Sequence, residues 1–464
     1  MRKTIKPFQI NIKQIGQLVA CLMVFLPCIL SVVSSQFITK TIILLAYWGM
    51  AILIGLFSVQ SNMVYRLDAG QRNWLFTWMI LFAIMVLNNN GDLQQGSYTS
   101  LINYFMILAF AMLVVMNRKF EDKYVLIAMM VLLGVQLIAG YYYWVYPSKL
   151  LSLKNIIAPN GGYALTSFLN GVNQGAFMGL TSHYSTSGMY MSLGTVIAAG
   201  LLLVNRSKTG KFNIFLLIIL GLFFIALVLT QKRAHLLFGV MTVLLMYLIG
   251  YVKGGLKKKL KQITAITIAA IVIFAVAMQV PAFASTFERF AEFFDGSADL
   301  NDMSSNRIDK LWIPAWKEFL EHPIMGMGWR QFKYVHPMSA ERLNDCHNIY
   351  LQLLCETGIV GTVIFMSVIL YTYWLTWKTL EREKYNVNSV CYYQLMYSFG
   401  YQTFFLLYGL TGNPLYDIQC IYPYIIACVM TYKYSQKAYE TQLAGQVQRF
   451  HNKRTSELTL NLYK

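Results

Sequence analysis

Charged residues are scarce in this sequence. They make up 12% of the 464 residues, about half the fraction found in ordinary soluble domains. Apolar residues make up 57%, and charge-free runs of about 18 or more residues, each long enough to cross a bilayer as a helix, recur along the chain. The composition therefore excludes a soluble enzyme and predicts an all-α protein, a single polytopic transmembrane helical bundle spanning 1–464.

The sequence also lacks motifs of metal and redox proteins, the repeats of a secondary transporter and a signal-peptide cleavage site. The seven cysteines contain no CxxC pair, so they do not suggest metal or redox chemistry, and most fall in apolar runs where packing is expected. No internal repeat and no inverted pair of broken helices is found, which argues against a secondary transporter. No convincing cleavage site follows the first apolar run, which is therefore interpreted as a membrane helix rather than a signal peptide.

The apolar windows predict about twelve membrane helices. They lie near 15–35, 41–60, 74–87, 98–116, 124–142, 187–204, 213–230, 234–252, 262–281, 347–374, 389–410 and 415–432. Two of the connections are long, 144–186 and 282–346, and loops of such length are usually functional. In the second loop, apolar residues recur at helical spacing, which predicts a short amphipathic helix on the membrane interface. These residues are Ile308, Leu311, Trp312, Ala315 and Phe319.

The formal net charge of +18 raises the question of a nucleic-acid partner. With the N-terminus placed inside, most lysines and arginines fall in the inner connections, including the clusters 206–211 and 253–261. This is the positive-inside pattern of a cytoplasmic (inner) membrane protein, with contact to anionic lipids rather than nucleic acid. It predicts that both termini are cytoplasmic, including a basic tail at 433–464, and that 144–186 and 282–346 are extracytoplasmic loops.

Two cations break this pattern. Lys232 and Arg233 lie in the short connection 230–233, which the same topology places outside. They either reach outward to lipid phosphates or clamp an anionic substrate group, for which the guanidinium geometry suits phosphate.

A polar stripe opens the tenth window. His347 and Asn348 are followed by Gln352 and Glu356, and the last three step by four residues along one helical face. On one interpretation, His347 is a boundary residue and Glu356 pairs with a neighbouring helix. On the other, His347 accepts a proton from a sugar hydroxyl, because an ordinary imidazole titrates near neutrality.

Residues 347–361 resemble the signature of the O-antigen ligase and O-antigen polymerase superfamily, a histidine-asparagine pair followed by a glutamate and two glycines. The glycines, Gly358 and Gly361, fit close helix packing. Three further regions resemble the family. They are Arg307 with Trp312, Pro323, Gly326 and Gly328; the short arginine loop 230–233; and, less specifically, 179–188 with His183. The short loop departs from many members, which have a small residue before the arginine and often a glycine after it.

The resemblance implies a membrane glycosyltransferase that transfers a glycan from an undecaprenyl diphosphate carrier to a hydroxyl, without a metal, cofactor or nucleotide sugar. His347 matches the position proposed for the general base. Arg233 and Arg307 are the best candidates for binding the diphosphate, with Lys232 and Arg330 as further cations.

Other residues are candidates for supporting the site or binding the acceptor. Glu356 is treated as supporting, because about 13 Å of straight helix would separate it from His347. Tyr184 and Trp329, together with Tyr334, either stack on sugars or belong to the interfacial aromatic belt. The complete group is Glu356, Asn348, His183, Tyr184 and Trp329.

Among functions, we favour a polymerase that extends lipid-linked repeats into a capsule, exopolysaccharide or O-antigen, because ligases occur in only a subset of the cells that have polymerases. A ligase that transfers the glycan to a lipid A core or another acceptor is the alternative within the family. A flippase or transporter of lipid-linked sugars is the alternative from another class, and the outer position of the unusual polar residues argues against it. The expected partners are the lipid-linked glycan, membrane lipids and a chain-length regulator, with no nucleic acid.

Overall fold

The computed structural model describes residues 11–30, 41–59, 69–87, 95–117, 119–158, 162–204, 210–250, 264, 307–337, 344–383 and 390–435. All regular secondary structure in these ranges is helical, which confirms the predicted all-α class. The window 262–281, the basic cluster 253–261, residues 282–306 of the second long loop and most of the tail 433–464 lie outside the described residues.

All the predicted windows except 262–281 coincide with helices. The first part of the chain forms α1 (Ile12–Ile29), α2 (Thr41–Val59), α3 (Ala69–Leu87), α4 (Gln95–Phe110, continued by the π-helical turn Ala111–Val115) and α5 (Lys123–Val145). The loop 144–186 contains α6 (Pro147–Ser152), α7 (Lys154–Ile157) and α8 (Gly162–Asn173). There follow α9 (Tyr184–Val204), α10 (Gly210–Leu229), α11 (Arg233–Ile249), α12 (Ile313–Glu321), α13 (Phe332–Val335), α14 (Ile349–Glu383), α15 (Val390–Tyr408) and α16 (418–435).

Five of the described helices are long and apolar enough to cross a membrane. They are α1, α5, α9, α10 and α14, while the apolar stretches Leu44–Val59 in α2 and Arg233–Ile249 in α11 are shorter. These helices support an integral membrane protein. The total of about twelve spans and the side on which each loop lies stay predictions.

Four helices position the site. α15 packs against α9, α11 and α14, and α9 also packs against α11. As a result, the starts of α9, α11 and α14 meet the end of α15 at one end of the bundle, which we call the site end. The connection 409–417, between α15 and α16, lies at this end.

The first long loop folds on a small core of its own. Leu150, Ile157 and Phe168 pack together with Met178, which follows α8. The side chain of Gln136 on α5 then donates to the Met178 carbonyl at 3.1 Å. The loop is therefore a packed segment, as its length and turn residues suggested.

The amphipathic helix of the second loop is present, but it begins differently. Its first residues, Ile308–Trp312, form a π-helical turn that continues into α12, with Pro314 in the first turn of α12. Leu311 and Ala315 on the predicted apolar face are buried. A second apolar face is exposed, made of Ile313, Trp316 and Leu320, as suits a helix lying on a membrane interface.

α14 is not one straight helix. Gly358 has φ 63° and ψ −170°, which breaks it after its first turns. The segment 323–328 fits into this break: Met327 N donates to Cys355 O at 2.9 Å, and Ile359 N donates to Pro323 O at 2.9 Å. The close approach expected of Gly358 is therefore to this segment rather than to another helix.

Gly326 and Gly358 make this close approach possible, and Gly326 allows a prediction about stability. A Cβ on Gly326, whose φ is +73°, would lie 2.3 Å from the carbonyl carbon of Glu356. We expect Gly326→Ala to lower the free energy of unfolding by at least about 2 kcal/mol, from left-handed strain and overpacking. Gly134→Ala on α5 is the matched control, because a Cβ there meets nothing within 4 Å. Thermal unfolding in detergent measures both, and equal melting temperatures would contradict the packing described.

Candidate active site

The start of α11 carries two of the predicted cations, and Arg307 lies near them. Burial, together with the positive charges of Arg307 and Arg233, lowers the pKa of half-buried Lys232 to about 8. The charged groups that shift this pKa are therefore both positive. Lys232, Arg233 and Arg307 form what we call the cation cluster.

Arg307 is held by the connection 409–417. Its Nη1 donates to the Thr411 carbonyl at 2.9 Å. Burial lowers the pKa of Arg307, while nearby Tyr408 opposes this effect. A guanidinium in such surroundings favours an anionic partner.

The start of α9 completes this side of the site. The ring of His183 stacks on that of Tyr184, with centroids 4.6 Å apart, and Nζ of Lys232 lies 4.1 Å from the centre of the Tyr184 ring. A cation over an aromatic face is an attractive contact. His183 and Tyr184 therefore adjoin the cation cluster.

His347 lies in a tight turn directly before α14. It is half-buried, with φ 55°. The next residue, Asn348, caps the helix, since its Oδ1 accepts from Tyr350 N at 3.1 Å and from Leu351 N at 3.2 Å. Asn348 thus has a clear structural role as an N-cap.

The His347 turn and Arg307 meet on the same short connection. Ile349 N donates to the Gly409 carbonyl at 2.9 Å, only two residues from the carbonyl that Arg307 binds. The turn that carries the predicted base and Arg307 of the cation cluster are therefore both attached to 409–417.

Backbone strain is concentrated in this region. In the described part of the chain, the non-glycine residues with positive φ are Gln231, Arg330 and His347. Each is a site candidate or lies directly before one. Such conformations cost about 1–3 kcal/mol and are found preferentially at functional sites.

Glu356 is completely buried and saturated with hydrogen bonds. Its carboxylate accepts from Arg330 N at 2.8 Å, Phe332 N at 3.4 Å and Gln352 Nε2 at 2.9 Å, and from the Tyr416 hydroxyl. A carboxylate is an acceptor with room for these donors. Glu356 therefore fastens the turn 329–332 and the connection 409–417 to α14.

Gln352 links this carboxylate to the His347 turn. Its Oε1 accepts from Cys346 N at 3.0 Å, and its Nε2 donates to Asp345 at 3.3 Å as well as to Glu356. A direct contact between Glu356 and His347 was not expected, and the amide of Gln352 spans the gap. The geometry suits the supporting role expected of Glu356.

Comparison with known families bears on the class of protein. Residues 193–366 match the family model described as Wzy_C, O-Antigen ligase. This match supports the O-antigen ligase and polymerase superfamily, which residues 347–361 resemble. No curated protein matches the chain. The matched O-antigen ligase domain contains the cation cluster, Arg330, His347 and Glu356, whereas His183, Tyr184 and 409–417 lie outside it.

Arg330 has different neighbours from the other cations of the O-antigen ligase domain. Burial opposes its charge, but Asp345, Tyr104 and Glu356 outweigh this, so the pKa of Arg330 is raised. Its guanidinium also lies 5.5 Å from the centre of the Tyr416 ring. These neighbours favour a role in balancing buried acids, and binding of diphosphate by Arg330 stays a prediction.

Trp329 is a packing residue in this structure. It is 0% exposed, and its ring stacks on Phe365 and Tyr416 with centroid distances of 5.6 and 4.7 Å. With these contacts it has no open face for a sugar, so it does not enter the proposal below.

One group of metal-ligand types is found among the described residues. The ligand atoms of Glu318, Glu321 and His322 lie within 4.8 Å of one another, and Glu318 also pairs with His336 at 2.8 Å. The group includes none of the predicted site residues. Metal independence therefore stays a prediction that can be tested.

Sequence reasoning missed the connection 409–417 and two residues beside it. Thr411 and Tyr416 hold Arg307 and Glu356, while His235 and Tyr408 lie next to the cation cluster. The only signals for the connection were its turn residues, Gly412-Asn413-Pro414, and the acidic Asp417 between two apolar windows.

Proposed function

We propose that this protein is a polymerase that transfers one undecaprenyl-diphosphate-linked glycan onto another at the extracytoplasmic face of an inner membrane. The match of residues 193–366 to the O-antigen ligase model supports glycosyl transfer from a lipid-linked donor. The observation that carries the proposal is the attachment of the His347 turn and Arg307 to the connection 409–417, at the carbonyls of Gly409 and Thr411. This connection supports both His347, the proposed base, and Arg307, which is proposed to bind the diphosphate.

In the proposed reaction, the acceptor hydroxyl attacks the anomeric carbon of the donor sugar. The bond from this carbon to the diphosphate breaks, and a glycosidic bond forms. His347 takes the hydroxyl proton, and the cation cluster stabilises the negative charge that develops on the departing lipid diphosphate. Preorganised positive groups at such a position are among the largest sources of rate enhancement.

Ligation uses the same chemistry with a different acceptor, a lipid A core sugar or another acceptor molecule. Polymerisation is preferred because ligases occur in only a subset of the cells that have polymerases. Surface polysaccharides such as a capsule, exopolysaccharide or O-antigen are the expected products. A chain-length regulator is the expected protein partner.

A transfer assay tests the proposal. The purified protein in detergent is supplied with an undecaprenyl-diphosphate-linked repeat in the presence of EDTA, and the products are separated by length. We expect a ladder of longer lipid-linked glycans, with the rate unchanged by the chelator.

Other outcomes have defined meanings. Transfer only to an added lipid A core would establish a ligase. Movement of the substrate across a vesicle membrane without new bonds would establish a transporter. Loss of activity in EDTA, restored by a divalent metal, would contradict metal independence and direct attention to Glu318, Glu321 and His322.

A further inference from the structure

His235 is an anomaly in the O-antigen ligase domain. It lies in the first turn of α11 and is 2% exposed. Neither ring nitrogen has a hydrogen-bond partner among the described residues. Buried polar groups are almost always paired, because leaving one unpaired forfeits the hydrogen bonds it makes with water. An unpaired imidazole in this position therefore requires an explanation.

The surroundings of His235 are aromatic on one side and cationic on the other. Its ring centroid lies 4.6 Å from that of Tyr408. A Cβ placed on Gly188 would lie 3.3 Å from Cγ of His235 and 3.4 Å from Cβ of Lys232, so the glycine lets these side chains approach α9. Among the described residues, the charged and titratable groups that act on His235 are Lys232, Arg307 and His183. They include no carboxylate that could pair with the ring.

The backbone adds positive charge at the same point. α11 begins at Arg233, and its N-cap residue, Lys232, makes no capping hydrogen bond through its side chain. The start of a helix carries a partial positive charge and unpaired N–H groups that bind anions. A helix start, three cations and an unpartnered buried imidazole thus converge on one place.

We propose that His235 is a phosphate-binding residue of the donor site, whose ring N–H donates to an oxygen of the lipid diphosphate held at the start of α11. The proposal rests on the function proposed above and extends its diphosphate site one turn into the helix. Lys232, which lies over the Tyr184 ring in this structure, turns towards the phosphate when the donor binds. The bound phosphate oxygen is then the partner that His235 lacks.

The substitution His235→Phe separates binding from packing. Phenylalanine fills nearly the same space without a nitrogen, so the ligand-free protein should melt at the same or a higher temperature. Affinity for undecaprenyl diphosphate, measured directly on the purified protein in detergent, should fall about tenfold, the loss of one charge-assisted hydrogen bond. A histidine that served only packing would show no change in affinity.

Three further variants complete the test. His235→Gln retains a donor and should bind within about threefold of the parent, whereas His235→Leu should resemble phenylalanine; this pair decides the matter if His235→Phe does not fold. His322→Phe, at an exposed histidine, is the matched control and should bind normally. Failure of the parent itself to bind undecaprenyl diphosphate would overturn the proposed function. Normal binding by the parent and by folded His235→Phe or His235→Leu would overturn only the role of His235.

Discussion

Replacing His347 by alanine is expected to slow glycan transfer by about a hundredfold to ten-thousandfold, the usual cost of losing a general base. The histidine is half-buried at the start of α14, beside the connection that also holds Arg307. It is therefore placed to meet an acceptor without supporting the core. Donor affinity and monodispersity in detergent should be nearly unchanged.

The left-handed backbone at His347 requires a second variant. With φ 55°, alanine bears the full left-handed strain of about 1–2 kcal/mol, whereas asparagine, like histidine, is found more often in this conformation. His347→Asn should therefore be as inactive as His347→Ala but closer to the parent in melting temperature. His322→Ala, at an exposed histidine in the same loop, should keep full activity.

A clear result would exclude the base. If His347→Ala transfers glycan at more than about a third of the parental rate per molecule, far above any general-base loss, the assignment fails. The match to the O-antigen ligase model would then describe the fold and not this residue. If the loss of activity in both variants is accounted for by a matching loss of folded protein, His347 is a structural histidine.

Hydropathy was sufficient to predict the helices, because length and apolarity alone determine which segments can span a membrane. It could not predict the break in α14. The residues on both sides of Gly358 continue the same apolar pattern, and the break depends on the segment 323–328 lying against the backbone of the helix. That contact joins regions about thirty residues apart, and it shows in the sequence only as glycines.

The charged residues of the site were predictable because each one interrupts an apolar pattern or a charge bias. Lys232 and Arg233 were conspicuous because cations in a short connection between apolar windows violate the charge bias. Glu356 was conspicuous as a carboxylate in an apolar run, but its partners, the 329–332 turn and Tyr416, come from distant segments and follow from tertiary packing alone. His235 was inconspicuous, because one histidine inside an apolar window has no pattern.

Arg307→Lys is expected to lower kcat/KM about tenfold to a hundredfold, more than its formal conservation of charge suggests. Arginine presents a planar fork that can hold two phosphate oxygens, and lysine offers a single point charge. One charge-assisted hydrogen bond contributes about 1.5–3 kcal/mol, which corresponds to this range of rates. The loss also includes the bond from Arg307 Nη1 to the Thr411 carbonyl, which positions the guanidinium against 409–417.

The electrostatics of the cation cluster sharpen this prediction. Lys232 already has its pKa lowered to about 8 by burial and by the positive charges of Arg307 and Arg233. A lysine at position 307 would meet the same burial and the same crowding, so it would lose its proton more readily than the guanidinium it replaces. The defect of Arg307→Lys should therefore be larger at pH 8.5 than at pH 6.5, values we choose on either side of about pH 8.

Arg382→Lys, in the exposed last turn of α14, is the matched control and should show no defect at either pH. Parental activity of Arg307→Lys at both values, with equal protein in the membrane, would remove Arg307 from the diphosphate site and leave Arg233 and Lys232 as its cations.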